Sequence, residues 1–301
     1  MGSGMRVVGM LRGLALAGGA LAGGVPAGGV LAGGALIGGG LAGGVLTGAA
    51  LAQQPPADAN ALARSLANPL ARITTISSEL RLAAGQGQGR HGLVNQFTVI
   101  KPFELPQSWA VITRTNLPIS ITQYSREYVG LADIAFGAFL VTPPRSNLYA
   151  GVGVTSSLPA ATRAGLGSRN WEAGPAAAFG YQDGAISTGL LLGQRWTLGG
   201  PAGVTRTTRS VLQGQFSFGL GDGWNTGVST DTRYDWEAKG RFRWTVPVTF
   251  SLGRVLTFSD DRAVQIGGLV THYALTGGPQ RAVWEVGLNL GAVVSNGFLF
   301  R

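Results

Sequence analysis

The sequence has no cysteine. That rules out disulfide staples, thiolate metal sites and an N-terminal lipoprotein anchor. Charge is also scarce, at 12% of the 301 residues, about half the share in an ordinary soluble domain. Every basic residue except Lys101 and Lys239 is arginine. Disordered chains combine low hydrophobicity with high charge, so a chain that is 45% hydrophobic falls outside that class. The net charge of +9 would suit nucleic acid, but the arginines are spread along the chain with no basic run. No nucleic-acid partner is expected. The sequence contains no phosphate loop, metal cluster or dinucleotide fingerprint, so no cofactor and no metal are expected either.

Glycine is abundant, with 50 residues, and many of them fall in the first 52 positions. Arg6 and Arg12 precede a charge-free run from Gly13 to Ala52 that repeats LAGGA, LAGGV, PAGGV and LIGGG. A basic start, an apolar run and the small-x-small exit Ala50-Leu51-Ala52 predict a secretory signal peptide over residues 1–52, cleaved after Ala52. The run is longer than the usual 7–15 residues, which points to an expanded repeat or to a start at Met5 or Met10. A retained anchor is the competing reading, although dense glycine and Pro26 make a poor helix. Residues 53–69 are expected to form a short periplasmic segment and residues 70–301 the main domain.

The organising stretch is Tyr234–Leu256. In its second half Phe242, Trp244, Val246, Val248, Phe250 and Leu252 share one parity, opposite Arg243, Thr245, Pro247, Thr249, Ser251 and Gly253. Period two predicts a β-strand, and a face made only of large apolar groups over roughly 9–11 residues suits lipid. The rest of the chain breaks into similar pieces: Leu70–Leu82, Leu93–Pro102, Trp109–Ile121, Leu131–Val141, Leu148–Leu158, Asn170–Tyr181, Ile186–Trp196, Val211–Leu220, Trp224–Arg233, Val264–Tyr273 and Ala282–Val293. Connections alternate between longer polar loops, near 83–92, 122–130, 159–169, 197–210, 234–241 and 274–281, and shorter turns. This alternation predicts an all-β fold: an antiparallel up-and-down transmembrane β-barrel of about twelve strands in the outer membrane of a Gram-negative bacterium. Trp109, Trp171, Trp196, Trp224, Trp244 and Trp284 sit at or near strand ends, as interfacial girdles require. A soluble β-sandwich is the plainer reading of alternation alone.

The segments LANPLA (66–71), TRTNLPI (113–119), GLADI (130–134), YAGVGVTSSLPAAT (149–162), WEAGPAAAF (171–179) and YDWEAKGRFRWTVPVTFSLGRVL (234–256) resemble, in order, the bacterial outer-membrane family called "MetA-pathway of phenol degradation", also labelled neuromedin-U-like. The resemblance implies an outer-membrane barrel that transports small, aromatic or hydrophobic molecules. It implies no catalytic residues. Members end in an aromatic-rich strand; here Phe298 and Phe300 precede Arg301.

Polar residues on the non-lipid parity are the candidate lumen lining: Glu79, Arg81, Arg114, Asn116, Glu172, Arg195, Gln213, Gln215, Asp231, Arg233, Arg243, Glu285 and Asn289. They could line an open pore and select solutes, or pair across a narrow filled lumen. The predicted loops are rich in arginine, which suits lipopolysaccharide phosphates, steering of anionic solutes or plain solvation. Partners are therefore outer-membrane lipid and a small solute, with the barrel expected as a monomer. A hydrolase would need a serine and an orienting group near His91 or His272, and neither histidine has a serine at suitable spacing. Asp260-Asp261 could bind calcium, but adjacent carboxylates in a turn are usually just solvated.

Overall fold

A computed structural model describes residues 59–66, 68, 70–84, 92–123, 127–143, 145, 147–163, 166–259, 262–276 and 283–294. The glycine-rich run, its cleavage site, His91, Asp260, Asp261 and the closing Phe298–Arg301 lie outside the described residues.

After a short helix α1 (Ala59–Leu66) come β1 (Thr74–Ala84), β2 (Gly92–Glu104), β3 (Ala110–Gln123), β4 (Glu127–Leu131), β5 (Ile134–Val141), β6 (Leu148–Leu158), β7 (Trp171–Asp183), β8 (Ile186–Gly199), β9 (Thr208–Gly221), β10 (Trp224–Asp235), β11 (Trp244–Ser259), β12 (Arg262–Thr276) and β13 (Trp284–Val294). Apart from β4 and β5, consecutive strands pair antiparallel, and β1 pairs with both β2 and β13. This closes the sheet into a ring of twelve staves with one extra strand. β3 takes β5 along Ala110–Asn116 and β4 along Ile119–Gln123, so β4 and β5 share one stave, broken at Ala132–Asp133. The gap is held by Ala132 N donating to Pro118 O at 2.8 Å. The Asp133 carboxylate accepts from Ala161 N and from Ser168 N and Oγ, which ties the 159–170 loop over the break.

Alternation sets the two faces. Phe216, Phe218, Phe250, Leu252, Leu288 and Leu290 are exposed on the outside, while Ala176, Ala178, Thr249 and Thr271 from the opposite parity are buried inside. Trp171, Trp196, Trp224, Trp244 and Trp284 are all exposed at strand ends. Trp236, not among the expected girdle residues, is exposed beside them, its ring 4.8 Å from Tyr234. Trp109 lies in the turn before β3.

One end of the ring carries the tight connections 184–185 and 222–223, together with 105–109 and 142–147, and there Ser259 and Arg262 stand in register; the other carries 159–170, 200–207 and 236–243. These are called the turn end and the loop end. Three expectations are corrected. The loop expected at 122–130 is mostly strand, because β4 continues the wall. The connection expected between Leu256 and Val264 shrinks to two residues, because β11 runs to Ser259 and β12 starts at Arg262. The first strand begins at Thr74 rather than Leu70, because Leu70 is buried in an apolar cluster instead. Among the described residues no helix is long and apolar enough to cross a membrane, which says nothing about strands.

Candidate functional site: the barrel lumen

At the turn end the lumen is apolar and occupied. α1 lies against β8 to β11. Ala63, nearly fully buried, packs with Val255 and Ala263, flanked by Leu62, Leu66 and Val293. Asn60 Oδ1 accepts from Gly223 N at 2.8 Å. Gly223 has φ +76 in the tight turn, a conformation that glycine adopts without strain. Asn68 Oδ1 then accepts from Leu70 N at 3.0 Å. Leu70, 1% exposed, is buried among Ile112 of β3, Phe139 and Val141 of β5, and Ala176 and Ala178 of β7. Arg72 pairs with Glu104 at 3.0 Å and donates to the carbonyls of Ser108 and Thr142. Residues 59–72 therefore cross the mouth from the β8–β11 side to the β3–β7 side.

One inward step above Ile112 stands Arg114. Its Nη1 donates to Gln213 Oε1 at 3.3 Å, on β9, five staves around the ring. Its Nε reaches Asn116 Oδ1 at 3.4 Å, and Asn116 also accepts from Thr98 Oγ1 at 3.0 Å. Gln213 Nε2 donates to Asp231 Oδ1 at 3.3 Å, and Asp231 pairs with Arg233. One guanidinium thus spans the lumen and is held at both walls by amide oxygens.

Above this bar the lumen is charged. Arg81 pairs with Glu79 and, at 3.3 Å, with Glu285, which also accepts from Tyr273 Oη at 3.0 Å. Glu172 has a 1%-exposed side chain and accepts from Thr207 Oγ1 and, at 3.4 Å, from Arg209, which in turn reaches Asp235 at 3.5 Å. Arg195 faces inward opposite Arg209 in register, and its buried Nε has no hydrogen-bond partner among the described residues. Asp231 and Arg233 also face inward, yet their side chains are 36% and 51% exposed. That accessibility marks room for water inside the ring. Gln215 and Asn289 occupy inward positions in register with Ser229 and Glu79.

Two assignments change. Arg243 is not part of a strand face. It sits in a 3-10 turn (Gly240–Arg243), where its Nε donates to Ala238 O at 2.8 Å and its Nη1 to Tyr234 Oη at 3.0 Å. The strand breaks there because Asp235 folds back to accept from Glu237 N and Ala238 N. Arg209, read from sequence as a loop residue, belongs to the wall of β9. Counting back by two from Gln213 would have placed it on the inward face. His272 stacks against Trp284, ring centroids 4.4 Å apart, and its buried Nδ1 has no partner among the described residues. The orienting bond of a general base is therefore not made there.

This geometry has counterparts among solved structures. The chain is similar to the COG4313 outer membrane channel from Pseudomonas putida F1 (12% identity, 73% of this chain and 95% of that one, TM-score 0.55). It is also similar to the NanC porin (11% identity, 74% and 99%, TM-score 0.49) and to the KdgM porin (10% identity, 73% and 98%, TM-score 0.42). At such identities the likeness to the first establishes the fold, a closed antiparallel barrel resembling outer-membrane channels. No family model matches the chain, and no curated protein matches it.

Proposed function

We propose that the protein is an outer-membrane channel that passes small solutes passively through the lumen. The observation that carries this reading is the charged upper lumen, where inward Asp231 and Arg233 remain accessible. Short turns face the periplasm in such barrels, so the loop end, with exposed Arg163, Arg169 and Arg206, faces outward towards lipopolysaccharide phosphates. From the Arg114 bar upward the described lumen carries five basic side chains (Arg81, Arg114, Arg195, Arg209, Arg233) and five acidic ones (Glu79, Glu172, Asp231, Asp235, Glu285). Balanced charge favours little ionic selectivity and suits small neutral solutes, in keeping with the aromatic or hydrophobic cargo implied by the family resemblance. The processed chain, starting after Ala52, would act as a monomer.

Single-channel recording on the refolded chain tests this. Discrete conductance steps with a reversal potential near zero in a salt gradient are expected. Arg114→Ala should raise the unit conductance about twofold, because a side chain bridging the lumen sets its narrowest polar point. A correctly folded barrel that stays silent with Arg114 removed and the mouth segment displaced would end the channel reading in favour of a filled, structural barrel. The crossing Arg114 and the occupied mouth are the observations on that side.

A further inference from the structure

We infer that residues 59–72 form a displaceable plug that closes the turn-end mouth, and that opening requires this segment to leave its seat. The inference rests on the channel reading for its purpose, but not for its test.

Three observations carry it. First, the segment is seated inside the ring and adds no strand to it. Its described backbone hydrogen bonds are local, Asn68 N to Ser65 O and Ala71 N to Asn68 O, whereas every wall strand is laddered along its length. It can therefore leave without breaking a rung of the barrel. Second, the wall is shaped to receive it. A Cβ on Gly180 would sit 2.7 Å from Asn68 Oδ1, so a larger residue there would push the Asn68 amide away from β7. Gly180 is ordinary strand backbone, so its missing side chain serves the fit rather than a turn. Third, the seat is apolar at Leu70 but leaves polar atoms unpaired around it. Asn68 Nδ2 and Arg72 Nε of the segment are buried without partners among the described residues, as are Ser187 Oγ and Asn225 Nδ2 near the turn-end starts of β8 and β10. Each unpaired group raises the cost of the seated state and would regain hydrogen bonds to water on release. An apolar anchor combined with a polar penalty gives a contact of intermediate strength, which is what a reversible closure needs.

The missing cysteines make the test clean, since any introduced thiol is the sole one. Ala178→Cys places a thiol under Leu70 at a position with no exposure. A small charged methanethiosulfonate reagent is added to refolded protein in detergent, with barrel integrity checked by heat-modifiable gel migration. Modification should be slow in the otherwise unaltered chain. It should be at least tenfold faster when Gly180→Val, which touches the seat and not the segment, is added. Leu70→Ser gives the same test from the segment's side. Unchanged rates in both variants overturn the plug. Separately, Ala63→Cys with Ala263→Cys, two residues of one buried cluster, allows the segment to be locked by oxidation. Conductance should fall at least tenfold on oxidation and return on reduction. A crosslinked barrel that conducts as well as the reduced one overturns the plug while leaving the channel reading intact. Faster modification in barrels that never conduct leaves the plug standing and overturns the channel.

Discussion

The two halves of the lumen settle their inward faces in opposite ways. The turn-end half removes water with carbon: Leu70, Ile112, Phe139 and Val141 pack as a small core. The loop-end half keeps polar groups and satisfies them with one another, as in the chain Thr207, Glu172, Arg209, Asp235. The first half depends on a segment that lies outside the ladder of the wall, whereas the second is built from the wall strands themselves. The apolar packing is thus concentrated at one end of the lumen, and the paired charges at the other.

The comparison can be broken most forcefully at Arg209. Arg209→Ala leaves the Glu172 carboxylate buried without its ion partner and should cost about 3–5 kcal/mol in urea unfolding followed by tryptophan fluorescence in vesicles. A loss below about 1 kcal/mol would mean that the upper charges behave like solvated surface pairs. Ile112→Ala opens a cavity in the apolar half and should cost about 2–4 kcal/mol. Repeating both measurements at high salt sharpens the contrast with a surface pair: Glu172 is buried, so salt screens it little and both penalties should persist, whereas the penalty of a solvated pair would shrink. Between the halves, the hydroxyls of Thr249 and Thr271 bond at 2.7 Å in full burial. Thr249→Val should cost about 1–2 kcal/mol, and the double replacement by valine much less, since neither partner is then left unpaired. The smallest effect lies outside the ring. Arg254 stands 5.5 Å over the Trp224 ring, and Arg254→Ala should cost about 0.5–1 kcal/mol if that contact anchors the turn end.

Most of the wall was legible because facing has a strict period of two. β7, with Trp171, Ala173, Pro175, Ala177 and Phe179 outside and Glu172, Ala176 and Ala178 inside, could be read directly. What failed needed information beyond that period. The break at Ala132–Asp133 depends on Asp133 finding backbone donors some thirty residues away. Arg243 was misplaced because the alternation of the organising stretch continues two residues past the strand, across a turn set by Asp235. Residues 53–69 could be read as a short segment ahead of the strands, but nothing in its own residues says that it crosses the mouth. That placement is decided by Gly180, Gly223 and the cluster around Leu70, which are distant in sequence. The contact between Arg114 and Gln213 was out of reach for the same reason: parity places both inside and leaves open whether they touch.

The broken stave has a mechanical meaning. β4 pairs with β3 through five residues and has no strand on its other side, whereas β11 and β12 are zipped along nearly their whole length. The 159–170 loop covers that margin by a few bonds, among them Thr162 N to Leu131 O at 3.0 Å. A ring under tension fails at its least laddered joint. Pulled apart from its two ends, or eroded by slow solvent exchange, this barrel should begin to tear at β4 and travel round from there, with the β11–β12 hairpin the last seam to give.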